Sequence, residues 1–249
     1  MKNLILGFSL FLFTFSVFGQ AQSQIDGIVN QIYNFDFVNV PDQLTQLEKT
    51  DPKIAGYLKF DFLWWKMISN FSVSTESEFN EYKKSFLDNT DDINRDFKKL
   101  IYYLYQIRYS NFKNTSFSKY LAAIKCHVYL LKIDKEKASA LKPLERNIFQ
   151  LIVEFDKCLK YKFISELDLL TNKNRRQFQI SLEKIGTLQS SQFASFKTIK
   201  DYFLGKIYLD IENDSFKAYE IFSNLSERYP GNKIFKSIKN DCEFVPKPY

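Results

Sequence analysis

Glycine and proline are scarce in this sequence, which has seven and six of them among 249 residues. These residues mark the turns of β-rich proteins, and no Asn-Gly hairpin signal occurs anywhere in the chain. The one Asp-Gly pair, Asp26-Gly27, has no alternation of apolar and polar residues beside it. The few glycines are also too scattered to form a phosphate-binding loop or a dinucleotide fingerprint. The scarcity argues against a β fold and against glycine-rich nucleotide sites.

Histidine is rarer still, since His127 is the only one. A multi-histidine metal site is therefore impossible, and any Ser-His-Asp or Cys-His system would have to use this residue. Its neighbour Cys126 cannot serve as the nucleophile, because adjacent helical residues point about 100° apart. No partner motif accompanies His127, so we expect a structural histidine. We predict no catalytic residue, no metal and no cofactor, and we expect a protein that is not an enzyme.

Cysteine is limited to Cys126, Cys158 and Cys242, and no two of them form a CxxC redox motif or a zinc knuckle. An odd number of cysteines cannot all pair within one chain. In an oxidising compartment we expect a bridge between Cys126 and Cys158, because we place them on neighbouring helices.

The first residues, 1–19, have the composition of a secretory signal peptide. Lys2 gives a positive start, and the apolar run Leu4–Phe18 follows, with small residues near its end. A second possible cut follows Ala21. The run is short for a membrane span, although an uncleaved N-terminal anchor is the alternative. We expect an exported protein of the periplasm or cell surface, whose mature chain 20–249 has no transmembrane segment.

Charge of one sign is not concentrated, although the net charge is +6. Basic residues are scattered among acidic ones, and only Lys-Asn-Arg-Arg at 173–176 forms a dense block. Nucleic-acid binding needs a coherent basic face. We therefore predict no nucleic-acid partner and expect the block to be solvated.

Apolar residues at helical spacing are what the sequence has in abundance. Intervals of three and four residues recur in window after window, and the links between windows are short and contain Asp, Asn or Pro. Short links make consecutive helices antiparallel neighbours, whose shared seams would bury the phenylalanines. We predict an all-α fold, an α-α superhelical stack of antiparallel helical hairpins. Asp92 is predicted to begin one helix, and Thr75 with Glu78 to form the capping box of another. The stripes include Phe97, Leu100, Leu104 and Ile107, then Phe117, Leu121, Ile124, Val128 and Leu131, then Leu144, Leu151, Ile152 and Phe155.

The clearest internal pattern lies in residues 201–230, which resemble one tetratricopeptide (TPR) repeat. Two short helices flank the turn 212–214, where the sequence has one residue more than the repeat. Small residues stand where the helices approach, aromatic residues fill the seam, and a proline ends the second helix. Asp201 departs from the pattern, which has Trp there. The matching positions are Leu204, Gly205, Tyr208, Ala218, Phe222 and Pro230.

The N-terminal region resembles that of secreted TPR-like proteins common in the Bacteroidetes group of bacteria. The shared features are Tyr-Asn-Phe-Asp-Phe at 33–37, the Asp-Pro stop at 51–52 and the Trp-rich helix that follows. The resemblance implies one TPR-like helical domain over 20–249 and a role in protein–protein scaffolding. Segment 70–180 matches only in helical period, so it holds either degenerate repeats or helices that complete the stack.

Aromatic residues are the remaining excess, with 26 Phe and 15 Tyr. Most must form core, since thin helical stacks bury their area through large side chains. Two groups are candidate contact surfaces: the pair Trp64 and Trp65, and the row Tyr102, Tyr105 and Tyr109. The alternative is that these faces pack on the next hairpin. We predict binding of a protein or peptide partner in the cell envelope, with glycan capture for a nutrient-uptake system as the alternative function.

Overall fold

The computed structural model describes residues 22–88, 92–167, 169–189 and 193–243. These residues form helices joined by short turns, and no strand occurs among them, which confirms the predicted all-α class. The helices are α1 (22–34), α2 (Val40–Thr50), α3 (Pro52–Ser69), α4 (Val73–Asp88), α5 (Asp92–Phe112), α6 (Ser116–Lys132), α7 (Lys135–Ala140), α8 (Pro143–Glu166), α9 (Asn172–Thr187), α10 (Phe196–Ile207), α11 (Ser215–Arg228) and α12 (Lys233–Glu243).

Consecutive helices pack as neighbours: α2 on α3, α5 on α6, α8 on α9, α10 on α11 and α11 on α12. Capping side chains set the start of several of them. Asp51 accepts a hydrogen bond from the Ile54 amide at 3.2 Å, and Pro52 stands at a position whose N–H would have no helical partner. Asp214 caps α11 in the same way, accepting from the Lys217 amide at 3.0 Å. Short polar side chains ahead of apolar runs therefore determine where these helices begin.

The start of α4 differs from the prediction. The Ser72 amide donates to Thr75 Oγ1 at 3.0 Å, and the Thr75 amide donates to Ser72 Oγ at 3.2 Å. Glu78 instead forms an ion pair with Lys66 of α3 at 2.7 Å. The predicted capping box of Thr75 and Glu78 is therefore wrong, because two short hydroxyl side chains make the reciprocal bonds one turn earlier. The helix predicted from Asp92 onward is present over Asp92–Phe112.

Residues 201–230 lie in a hairpin formed by α10 and α11. The π-helical turn Tyr208–Glu212 and Asn213, which is left-handed with φ of 57°, connect the two helices. The Asp214 amide donates to the Tyr208 carbonyl at 2.9 Å and closes the turn. A π turn holds one residue more than an α turn. It therefore takes up the residue that the sequence adds to the TPR spacing.

The two helices of this hairpin approach closely at Gly205. A Cβ atom there would lie 2.7 Å from Cε2 of Phe222, which is too close for packed carbon atoms. Ala218 and Phe222 are fully buried in the hairpin. The other positions of the repeat pattern lie at its edge: Leu204 and Tyr208 are half-buried, and Pro230 is exposed.

Helix α1 connects the beginning of the described chain to its end. Tyr229 Oη, after α11, donates to Asn30 Oδ1 at 2.9 Å, and Asn232 Nδ2 donates to the Tyr33 carbonyl at 2.8 Å. The Tyr33 ring also lies 6.2 Å from the Phe235 ring of α12. Repeats in an open solenoid contact only their neighbours along the chain. These contacts are therefore additional to those of a simple stack, and they hold the first helix against the last ones.

Within the described ranges, no helix is both long enough and apolar enough to cross a membrane. The predicted signal peptide, 1–19, lies outside the described residues. Export therefore stays a prediction from the sequence.

All three cysteines are free thiols with buried side chains. The predicted bridge between Cys126 and Cys158 is not formed in this structure. Burial raises the pKa of both thiols to about 12, so they are protonated at neutral pH and poorly reactive. Both side chains fill core volume as small apolar residues do.

Candidate functional site

The two tryptophans that were candidate contact residues lie in the core. Trp64 and Trp65 are 4% and 0% exposed. They belong to α3, which has buried residues around most of its circumference, and a helix of that composition packs on all sides. The expectation of an exposed indole surface is therefore corrected, because neither ring is open to a ligand in this structure.

Both indoles surround a buried ion pair, which we call the Arg108 cluster. Nη1 of Arg108, on α5, lies 3.7 Å from Oδ1 of Asp61, on α3. The Tyr105 hydroxyl donates a hydrogen bond to the same carboxylate oxygen. The guanidinium lies between 4.8 and 5.3 Å from the centroids of four aromatic rings, which are Trp64, Trp65, Tyr105 and Tyr202.

Aromatic faces take the place of hydrogen-bond acceptors around this guanidinium. Nε and Nη2 of Arg108 have no hydrogen-bond partner in the described part of the chain. Burial raises the pKa of Asp61, and the positive charge of Arg108 opposes that rise. Burial also raises the pKa of Tyr105, so its hydroxyl stays protonated and donates to the carboxylate. The cluster connects α3, α5 and α10, and we interpret it as structural because aromatic rings enclose its one ion pair.

The tyrosine row does not form a single open surface either. Tyr105 is buried, whereas Tyr102 and Tyr109 are half-buried. The Tyr109 hydroxyl donates to Glu76 of α4, and its ring stacks on Phe79 at a centroid distance of 6.1 Å. The candidate platform of three tyrosines is therefore corrected, because the three side chains have different neighbours: Tyr109 contacts α4, Tyr105 contacts α3, and Tyr102 contacts Tyr103.

His127 connects α6 to α8. Its Nδ1 lies 3.1 Å from Oδ2 of Asp156. The adjacent Cys126 is buried, and burial together with the charge of Asp156 raises the pKa of its thiol to about 12. A protonated, buried thiol is a poor nucleophile. Among the described residues, no group of three or more His, Cys, Asp or Glu side chains could hold a metal ion.

An exposed apolar row on α6 is the surface feature that most needs explanation. Its side chains are between 42% and 81% exposed. They follow one another at intervals of four, three, four and three residues, so they lie along one side of the helix. The sequence predicts this row correctly as a helical stripe, but the expectation that it packs in a seam is wrong. We call it the α6 face: Phe117, Leu121, Ile124, Val128 and Leu131.

α6 is apolar on two sides, and only one of them is covered. Ala122, Cys126 and Leu130 are buried. Residue 122 lies about 200° around the helix from residue 124, so the two rows point in opposite directions. α5 is the principal neighbour of α6 and packs along it. Among the described helices, none other than α5 packs extensively on α6, and the side chains of the α6 face are exposed.

Positive charge borders the α6 face. Lys125 and Lys132 are exposed and lie one residue after Ile124 and Leu131 in sequence. Their ammonium groups lie 5.6 Å from the Tyr103 ring and 4.6 Å from the Tyr129 ring, respectively. The sequence of α6 contains no Asp or Glu. The surface is therefore an apolar strip with a basic rim.

A second surface feature is a cleft of about 520 Å³ between α1 and the start of α10. Several of its polar groups are already engaged in holding α1 in place, since Tyr229 Oη donates to Asn30 and the Gly231 amide donates to Asn34 at 2.9 Å. Its lining residues are Asn30, Asn34, Ala194, Ser195, Lys197, Thr198, Arg228 and Tyr229.

Comparison of the chain with protein-family models, with curated proteins and with solved structures finds no match. The function must therefore be inferred from the α6 face and from the sequence itself.

Proposed function

We propose that this protein is an exported, non-enzymatic binding protein of the bacterial cell envelope that holds a protein partner on the α6 face. One observation carries the proposal: five large apolar side chains stand exposed in a single row. Scattered exposed apolar residues are ordinary, but a contiguous strip with a polar border is typical of an interaction site. The exported location rests on the sequence of residues 1–19.

The helical architecture supports a scaffold role. We propose that the helix pairs are TPR-like hairpins arranged as a superhelical stack, with α10 and α11 as the most regular pair. The close approach at Gly205 and the buried Ala218 and Phe222 support this, because they are the small and aromatic positions of the repeat. The contact of α1 with the last helices is a departure from an open stack.

The energetics favour binding at this surface. Full burial of one large apolar side chain contributes about 1.5–3 kcal/mol. Partial burial of the whole row therefore yields several kcal/mol, which can offset the entropy lost on association. α6 is already held by α5, so it loses little conformational freedom when a partner covers its open side.

The alternative function, glycan capture, is less well supported by the arrangement of the aromatic residues. It required open aromatic rings on which a sugar could stack. Trp64, Trp65 and Tyr105 are buried instead. The α6 face offers mainly aliphatic side chains, which suit another apolar protein surface better than a sugar.

A comparison of two double variants tests the proposal. Ile124→Asp with Leu131→Asp places charge on the α6 face, whereas Val38→Asp with Val73→Asp changes two apolar residues elsewhere that are even more exposed. Immobilised wild-type and variant proteins are incubated with envelope fractions, and captured proteins are identified by mass spectrometry. We expect a protein captured by the wild type and the control to be lost with the α6 variant, while circular dichroism stays unchanged. Identical capture by all three proteins would overturn the proposal.

A further inference from the structure

We infer that the α6 face is built to receive an amphipathic helix that carries acidic residues beside its apolar row. The inference rests on the proposed function and specifies the partner. It follows from two observations on α6: the spacing of the exposed row and the charge along its border.

The spacing is that of a helix–helix seam. Intervals of four, three, four and three residues, from Phe117 to Leu131, keep apolar side chains in one nearly straight line. Such a line packs lengthwise against a second helix, with side chains of one helix entering the gaps of the other. α6 has 17 residues, so a partner helix of about five turns would cover it.

The charge selects the kind of helix. Lys125 and Lys132 are seven residues apart, so they lie on the same side of the helix about two turns apart, next to Ile124 and Leu131. Positions beside a helical seam are where interhelical ion pairs form. With no acidic residue in α6, the matching carboxylates have to come from the partner.

A second copy of this α6 does not satisfy that requirement. In an antiparallel pair, the rim that holds Lys125 and Lys132 would face the same rim of the other copy. In a parallel pair, this rim would face the one that holds Tyr120 and His127. Neither arrangement brings a carboxylate of α6 to the lysines. Like charges across the seam oppose the antiparallel pair, and in the parallel pair the lysines gain no carboxylate from α6.

An anionic membrane surface fits the charge but not the shape of the α6 face. A helix that lies in the lipid headgroup layer exposes a wide apolar half and turns its polar half to water. Here the opposite side of α6 is packed on α5, and the exposed apolar strip is only one row wide. A single narrow seam matches another helix better than a lipid layer.

Synthetic helices provide the test, using the full mature chain. Three fluorescent peptides of about three heptads are compared. The first has Leu in the seam and Glu at the rims, the second has the same seam with Lys at the rims, and the third has the composition of the first in scrambled order. Fluorescence anisotropy measures the affinity of each peptide at low and high salt. Binding to phosphatidylglycerol vesicles tests whether a membrane occupies the α6 face. A dilution series of the protein alone tests whether a second copy occupies it.

We expect the Glu peptide to bind roughly tenfold more tightly than the Lys peptide at low salt, with the difference shrinking at high salt. Lys125→Glu with Lys132→Glu should reverse this preference, and Ile124→Asp with Leu131→Asp should abolish binding of both ordered peptides. The scrambled peptide should not bind, because it has the charge without the seam.

Other outcomes overturn the inference in distinguishable ways. Equal affinity for the Glu and Lys peptides, lost in the Ile124→Asp, Leu131→Asp variant, would refute the acidic partner and leave the proposed function intact. Three results would each refute the helical partner. The scrambled peptide could bind, vesicles could bind while peptides do not, or the wild type could form dimers that the Ile124→Asp, Leu131→Asp variant does not form. Failure of every peptide to bind would also refute it, while the envelope capture described above would still decide the proposed function.

Discussion

Arg108 shows how a charged residue can be accommodated in an aromatic core. Four rings within 5.3 Å surround its guanidinium, and Asp61 supplies the opposite charge. Taking such a pair out of water is costly, and its attraction repays the cost only when both partners are present. Removing one partner therefore has a larger effect than removing both.

We expect Arg108→Met to lower the free energy of unfolding by about 3–5 kcal/mol, because it leaves Asp61 buried without a counter-charge. The double variant Arg108→Met with Asp61→Asn should recover a large part of this loss, since no buried charge remains. Urea unfolding followed by circular dichroism measures both values. If the double variant were less stable than Arg108→Met alone, the ion pair would not be the cause.

The raised pKa of Asp61 determines whether this residue makes the folded protein more or less stable as the pH falls. The folded protein binds this proton at a higher pH than the unfolded chain, so ionised Asp61 disfavours folding above the raised pKa. As the pH falls from that value towards the ordinary 3.8, protonation relieves the cost. We expect the wild type to gain stability relative to Asp61→Asn over this range. A difference in unfolding free energy that stays constant with pH, measured by urea titrations, would contradict the shift.

At the scale of single elements, the hairpin of α10 and α11 depends on the small residue at its closest approach. Gly205→Ala would place a methyl group 2.7 Å from the Phe222 ring, and we expect a loss of about 1–3 kcal/mol from overpacking. Gly186→Ala in α9 is the matched control, because nothing lies within 4 Å of its added Cβ. Alanine has the better helix propensity, so the control should be neutral or stabilising. Thermal unfolding measures the change in Tm for both variants. Equal changes in Tm for Gly205→Ala and Gly186→Ala would argue against a tight contact at Gly205.

The two apolar sides of α6 differ in their expected contribution to stability. Leu130 is 9% exposed and Ile124 is 62% exposed. We expect Leu130→Ala to cost about 2–4 kcal/mol, as buried leucines do, and Ile124→Ala to change stability by less than about 0.5 kcal/mol. Denaturant titrations of the two variants measure this asymmetry. A large loss for Ile124→Ala would mean that the α6 face is covered within the protein itself.

The sequence of α6 contains two apolar stripes, but it does not indicate which of them is buried. Phe117 to Leu131 forms the stronger apolar pattern, whereas Ala122 and Cys126 are small residues that attract less attention. Small side chains allow α5 to approach closely, so the weaker stripe is the one that packs. A helix with apolar residues on two opposite sides is the signal that sequence reading missed.

At the scale of the whole molecule, contacts across the full length of the chain make the stability of the last helices depend on the first. We expect deletion of 20–34 to accelerate amide hydrogen exchange in α10–α12, because bonds such as that from Asn232 to Tyr33 are lost. In an open stack, exchange at the far end would not respond to such a deletion. Hydrogen exchange read by mass spectrometry decides between these outcomes, with α8 and α9 as the internal reference.

The sequence by itself determined the helical class, the helix at Asp92 and the hairpin at 201–230. These are local properties: apolar spacing, a capping Asp or a proline acts within a few residues. The roles of the aromatic residues were decided only by tertiary structure. Trp64 and Trp65 enter the core because α5 and α10 bring Arg108 and Tyr202 against them. Phe117 and Leu131 stay exposed because no helix of the described ranges lies over them. Which side of a helix meets a neighbour depends on residues far away in the chain.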